Sequence, residues 1–160
     1  MMDIREQTIE TMKVVGIKTA TSKTLESNPE TSKIPALWQT FFSEDIAARI
    51  PRSVNHETIY GVYTAYDPEQ RGNYHVIVGS EVEKVTAPPN DMVAVEVPAG
   101  RYLVFSQQGE VPEVIYSAWQ YIWDFFANDV SYQRLYTTDF ELYRMDDTSH
   151  IEIYIAIASP

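Results

Sequence analysis

The segment Thr137–Met145, TTDFELYRM, holds the side chain best suited to chemistry, Glu141. Read as a strand of period two, it sends Phe140 and Leu142 to one face and Glu141 and Tyr143 to the other. A carboxylate set among rings fits two roles. It can lie on the solvated face of a half-buried strand. It can also face a ligand, its charge holding a cation against aromatic walls. Period two gives relative faces only, so the pattern leaves both open.

The rings that could form such walls are Trp38, Phe42, Tyr60, Tyr102, Trp119 and Trp123, with Tyr143 beside the acid. Core packing accounts for any one of them alone. Trp38, Phe42 and Trp119 sit on apolar helical stripes, which favours the core, whereas Trp123 lies at the edge of its stripe. Taken together with an anionic Glu141, they suffice to recognise a lipophilic cation. Each cation–π contact contributes about 0.5–2 kcal/mol. Burial of apolar surface adds the larger share, at about 25 cal/mol per Å².

Other candidates are weaker. Glu96 and Glu152 are alternative carboxylates; Glu152 alternates with Ile151, Ile153 and Ile155, which suits a solvated or cross-strand position. His56, His75 and His150 show no metal-ligand spacing. The chain has no Gly-x-Ser-x-Gly elbow, no P-loop and no GxGxxG, so neither a metal nor a cofactor is expected.

Composition narrows the partners. The formal net charge is −11, which repels phosphate backbones and attracts cationic ligands or basic partners. The basic residues are scattered, with no helix-turn-helix pattern, so nucleic-acid binding is not expected. The chain has no cysteine, which removes disulfides, thiolate metal sites and thiol nucleophiles. The start, MMDIREQ, has no apolar signal core, and no run reaches membrane-span length. A cytoplasmic protein that does not engage membranes is the expectation.

The elements that must position these residues read in a repeating order. Ile4–Glu10 and Val14–Thr21 are strands, Ser22–Lys33 is a loop, and a helix runs from Pro35 to about Arg49. Thr58–Tyr66 and Tyr74–Val85 form a hairpin across Asp67–Asn73, and Ala87–Asp91 links to the second half. There Met92–Val97 and Arg101–Gln107 are strands, a helix runs from Pro112 to about Asn128, and Thr138–Met145 pairs with His150–Ala158. Each half is strand, strand, helix, strand, strand, and Trp38 and Trp119 occupy similar places in their helices. The class is α+β, in one domain over 1–160 with halves at about 1–86 and 92–160. A seam between like halves is a common ligand site.

These residues carry a family resemblance. Val15-Gly16-Ile17, Leu37-Trp38, Ile59-Tyr60-Gly61-Val62-Tyr63 and Val78-Gly79-Ser80-Glu81-Val82 stand in order through the first half. Val97-Pro98-Ala99-Gly100-Arg101-Tyr102, Trp119, Phe140-Glu141-Leu142-Tyr143 and Ile151–Ile155 follow in the second. With that order and spacing, the chain resembles the GyrI-like (gyrase-inhibitor-like) domain. This is the effector-binding domain of AraC- and MerR-type regulators that sense multiple drugs, and the chain is similar to a stand-alone, drug-binding integron cassette protein. The resemblance implies duplicated strand-helix-strand-strand units, an antiparallel sheet with two main helices, and an aromatic pocket between the halves. It also implies one acid, falling on Glu141, that meets small amphipathic cations. The expected role is sensing or sequestering rather than catalysis. Two alternatives come with the family: a small-molecule hydrolase with Glu141 as base and Tyr60 or Tyr143 as hydrogen-bond donor, or an inhibitor that docks on a topoisomerase.

Overall fold

A computed structural model describes residues 2–67, 72–84, 86–128 and 131–159. Among them one antiparallel sheet of eight strands carries four helices, as the α+β expectation had it. The strands are β1 (Asp3–Ile9), β2 (Met12–Ser22), β3 (Thr58–Thr64), β4 (Asn73–Val82), β5 (Val93–Val97), β6 (Gly100–Gln108), β7 (Thr138–Arg144) and β8 (Asp147–Ala156). The helices are α1 (Lys23–Glu26), α2 (Ile34–Ser43), α3 (Ile46–Arg49) and α4 (Glu113–Ala127).

The strand order is β1-β6-β8-β7-β3-β4-β2-β5. Exchanging β1–β4 with β5–β8 gives the same order read backwards, so the two halves are related by a twofold in topology. Within each half the strand before the main helix lies beside the last strand: β2 with β4, and β6 with β8. The halves meet at the centre, where β3 pairs with β7. The leading strands are exchanged: β1 pairs with β6 of the second half, and β5 with β2 of the first.

This exchange curls the sheet. β1 and β2 stand six strand spacings apart in the order, about 29 Å if the sheet were flat. Glu10 and Thr11 alone join them, and such a link spans only about 11 Å. Pro98 and Ala99 join β5 to β6 across the same gap. The two sheet ends are therefore one continuous two-stranded ribbon, interrupted where Ala99 N–H donates to Thr11 Oγ1 at 3.2 Å.

The curl gives the sheet an inner face and an outer face, and period two sorts the side chains. Val14, Tyr60, Val62, Ile77, Tyr102, Phe140 and Tyr154 fill the inner face. There Phe140 stacks on Tyr154 with ring centres 4.4 Å apart. The outer face is covered by helices: α2 and α3 over Val15, Ile59, Val76 and Val78, and α4 over Leu103, Phe105, Ile153 and Ile155. Leu37 and Phe41 of α2 and Val114, Ala118 and Ile122 of α4 are the buried stripes, at the spacing of one helical face.

Two local expectations are corrected. The helix expected from Pro35 to Arg49 is broken at Asp45, whose φ of 51° is left-handed, a conformation that aspartate tolerates better than most residues. The supposed loop over Ser22–Lys33 contains α1, begun by Ser22 Oγ accepting from Leu25 N–H at 3.1 Å. One turn is too short to leave a periodic signal. Parts of the expected β3–β4 loop, at 68–71, and Val85 at the expected end of β4 lie outside the described residues.

Candidate ligand-binding site

The central pair of strands decides which face Glu141 occupies. β3 and β7 are seven residues each, and their register sets Gly61 opposite Glu141 and Ile59 opposite Tyr143. With Phe140 and Leu142 in the inner core, Glu141 points to the outer face, beneath the helices. It is only 1% exposed.

Corresponding residues of β3 and β7 differ by 80 in number, since one begins at Thr58 and the other at Thr138. Gly61 corresponds to Glu141, and these two also face each other. The twofold axis thus runs between them. Two full side chains at this point would collide. A Cβ built on Gly61 would stand 2.9 Å from Glu141 Oε1 and 3.3 Å from Trp38 Cζ2. The missing side chain makes room for the carboxylate.

The surrounding rings obey the same symmetry. Tyr63 corresponds to Tyr143, and each gives its hydroxyl to a different oxygen of the acid. Tyr63 Oη donates to Oε2 at 3.0 Å, and Tyr143 Oη donates to Oε1 at 2.8 Å. Trp119 of α4 rests on Tyr63 with ring centres 5.2 Å apart, and Trp38 of α2 rests on Tyr143 at 5.1 Å. Symmetry ends at the indole nitrogens: Trp119 Nε1–H donates to Glu141 Oε2 at 2.6 Å, whereas Trp38 meets Tyr143 edge-on. The result is an aromatic box of two tryptophans and two tyrosines around one carboxylate.

The donors to Glu141 are neutral. Among the described residues no Arg, Lys or His side chain forms an ion pair with it. Burial pushes its carboxyl above the ordinary range, and the hydrogen bonds from Trp119, Tyr143 and Tyr63 pull partly back. Burial and the adjacent acid push the Tyr63 and Tyr143 hydroxyls well above the ordinary phenol range, so both are protonated donors.

The remaining candidates divide. Phe42 stacks on Trp38 at 6.0 Å and is 54% exposed. Trp123 lies 6.3 Å from Trp119 and is 43% exposed. Both stand at the rim of the box. Tyr60 and Tyr102 lie on the opposite face of the sheet, packed on Phe140 at 5.8 and 5.7 Å. Their expected place beside Glu141 is corrected: Tyr60 is an odd number of residues from Tyr63 on β3 and so faces the other way, and Tyr102 donates to the Pro98 carbonyl at 2.8 Å where the ribbon bends. Tyr63 and Gly61 belong to the site but were absent from the candidates; the 80-residue correspondence with Tyr143 and Glu141 is the signal that finds them.

Glu152 is buried on the inner face between Arg5 and Arg144, at 3.1 and 3.4 Å, a cross-strand role. Two surface hollows have other linings, though Tyr74 of the first touches Tyr63 with ring centres 5.9 Å apart. One of about 350 Å³ is lined by Thr21, Leu25, Tyr74 and His75, and one of about 410 Å³ lies beside Lys18, Lys33 and Thr40. Glu141 lines neither, and neither offers a buried charge. Among the described residues no helix is long and apolar enough to cross a membrane.

Comparison with known proteins bears on what such a box is for. Residues 7–157 match the family model of the integron-associated effector binding protein. The chain belongs to that family. Among its relatives, the integron cassette protein VCH_CASS2 from the mobile metagenome of Vibrio cholerae superposes with a TM-score of 0.80 at 31% identity, over 97% of this chain and 95% of that one. A putative transcriptional regulator protein of Bacillus subtilis (strain 168), YobU, is 30% identical over 147 residues, 89% of each chain. SAV2435, solved bound to tetraphenylphosphonium, has the same fold with a TM-score of 0.76, at 18% identity over 98% of this chain and 94% of that one. The integron-associated effector binding family is thus a ligand-binding one, and the fold is the GyrI-like fold that the sequence motifs imply.

Proposed function

We propose that this protein binds small lipophilic organic cations, with Glu141 as counter-ion inside the box of Trp38, Tyr63, Trp119 and Tyr143. The observation that carries the reading is a fully buried carboxylate with neutral donors on both oxygens and no cationic partner among the described residues. A charge so placed is costly unless something positive answers it. A hydrated metal ion or an ammonium would have to shed tightly held water to reach it. A cation whose charge is spread among aromatic groups sheds little, gains cation–π contact with four rings, and buries apolar area besides. Tetraphenylphosphonium, the ligand held by SAV2435, is of this kind.

Ligand enters between α2 and α4, where Phe42 and Trp123 stand half-exposed and Trp38 and Trp119 roof the acid. These side chains part while the sheet residues keep the carboxylate in place. As a binding module without turnover, the protein acts as a sensor or a sequestering agent.

Calorimetry of the intact chain tests this with tetraphenylphosphonium and the neutral triphenylphosphine oxide. Glu141→Gln is expected to weaken the cation at least about tenfold, equivalent to about 1.4 kcal/mol, and to leave the neutral compound within about twofold. Equal losses for both compounds, or no binding of the cation by the wild type, would sink the proposal.

A further inference from the structure

Trp123 stands at the edge of the α4 stripe, and its ring is not empty-handed. Lys23 Nζ lies over it, 4.9 Å from the ring centre. The backbone below this ammonium is tied down on two sides. Lys23 N–H donates to the Gly72 carbonyl at 2.8 Å, and Ser22 caps α1. Glu26, one turn on, accepts from the N–H groups of Lys33 and Ile34 at the start of α2. The base of the side chain is therefore held by Gly72, just before β4, and by the start of α2. The four-carbon stem above it is free to swing, since Lys23 itself is exposed.

We propose that Lys23 is an internal competitor for the ligand. Its ammonium occupies the outermost ring of the path Trp123–Trp119–Glu141 and must leave before an external cation takes that position. The inference rests on the cation-binding reading of the box. Three observations meet here. The only cation set over a ring of the box or its rim is this one, among the described residues. Trp123 touches Trp119, which donates to the acid. The ammonium is strongly hydrated, so it rests at the exposed ring and does not descend to the buried carboxylate. Lys23 thereby sets a threshold. Weakly held cations fail to displace it, while those with large aromatic groups gain enough inside the box to do so.

The test measures dissociation constants of the intact chain for tetraphenylphosphonium and triphenylphosphine oxide. Lys23→Gln is expected to tighten the cation about 2- to 5-fold, the worth of an exposed cation–π contact, and to leave the neutral compound unchanged. Lys23→Arg, which keeps a cation for the ring, restores the wild-type constant. In a Trp123→Leu background, Lys23→Gln has no further effect. Unchanged or weaker cation binding in Lys23→Gln overturns the proposal while leaving the cation-binding reading standing. So does tightening that persists in the Trp123→Leu background, which would assign the effect to bulk charge. If the wild type binds no cation, both fall.

Discussion

Asp139 and Glu141 stand two residues apart on one strand, on the same face, and both are buried. What surrounds them differs. Asp139 Oδ2 accepts from Arg134 Nη2 at 2.8 Å and from Tyr66 Oη at 2.7 Å, while Oδ1 accepts from Ala156 N–H at 2.9 Å. Its charge is answered inside the protein, and Arg134 is further enclosed by the rings of Tyr66 and Tyr136. Glu141 has hydrogen bonds but no countercharge among the described residues. Burial alone does not mark a functional acid; on the proposed reading, a buried acid whose donors are all neutral does. Asp139 ties β7 to the segment before it, and in the proposed reading Glu141 is left for a ligand.

The comparison can be broken most forcefully at Asp139. Asp139→Asn leaves the guanidinium of Arg134, whose side chain is 9% exposed, without its anion. A loss of about 3–5 kcal/mol is expected in chemical denaturation. Any folded fraction should still prefer a cation to its neutral analogue. A variant that is stable but has lost that preference would put the functional charge on the wrong residue.

Gly61→Ala attacks the other acid through its empty partner position. The added methyl meets Oε1 and the edge of Trp38, so the acid is pushed off its donors. Overpacking of this sort costs about 1–3 kcal/mol, and cation affinity should fall along with the melting temperature. Unchanged melting and affinity together would show that the carboxylate has slack, against a site set by the symmetry axis.

The smallest effect is a pH slope. The folded-state pKa of Glu141 lies above its ordinary value of 4.5. Between those two values the folded chain keeps a proton that the unfolded chain has released. The contribution to stability is intact below the ordinary value and is lost as pH rises through the folded one. Cation affinity moves the opposite way, rising over the same window as the anion forms. Denaturation and binding curves of wild type and Glu141→Gln, compared across pH, read both trends. Parallel curves would mean that Glu141 does not titrate in the fold.

Much of this was legible in the chain. The apolar stripes of α2 and α4 and the alternation in β7 and β8 are strong periodic signals; they place these elements, although the stripe of α2 runs on through the break at Asp45. Glu141 stood out because a carboxylate amid Phe140, Leu142 and Tyr143 breaks a buried pattern. Strand register was not legible. Tyr60 and Tyr63 are equally good aromatic candidates until the pairing of Gly61 with Glu141 assigns their faces. Tyr102 was misplaced for the same reason. The Arg134–Asp139 pair and the Lys23–Trp123 contact are tertiary meetings that no local pattern announces.

The traded leading strands have a consequence for how the molecule comes into being. β1 gains its neighbour only when β6 exists, and β2 keeps one flank bare until β5 arrives. A ribosome that has made only residues 1–86 has thus made an incomplete sheet, with edges open to other chains. The repeat that looks like two modules in series is a pair of interlocked hands, and neither can close until the other has been synthesised.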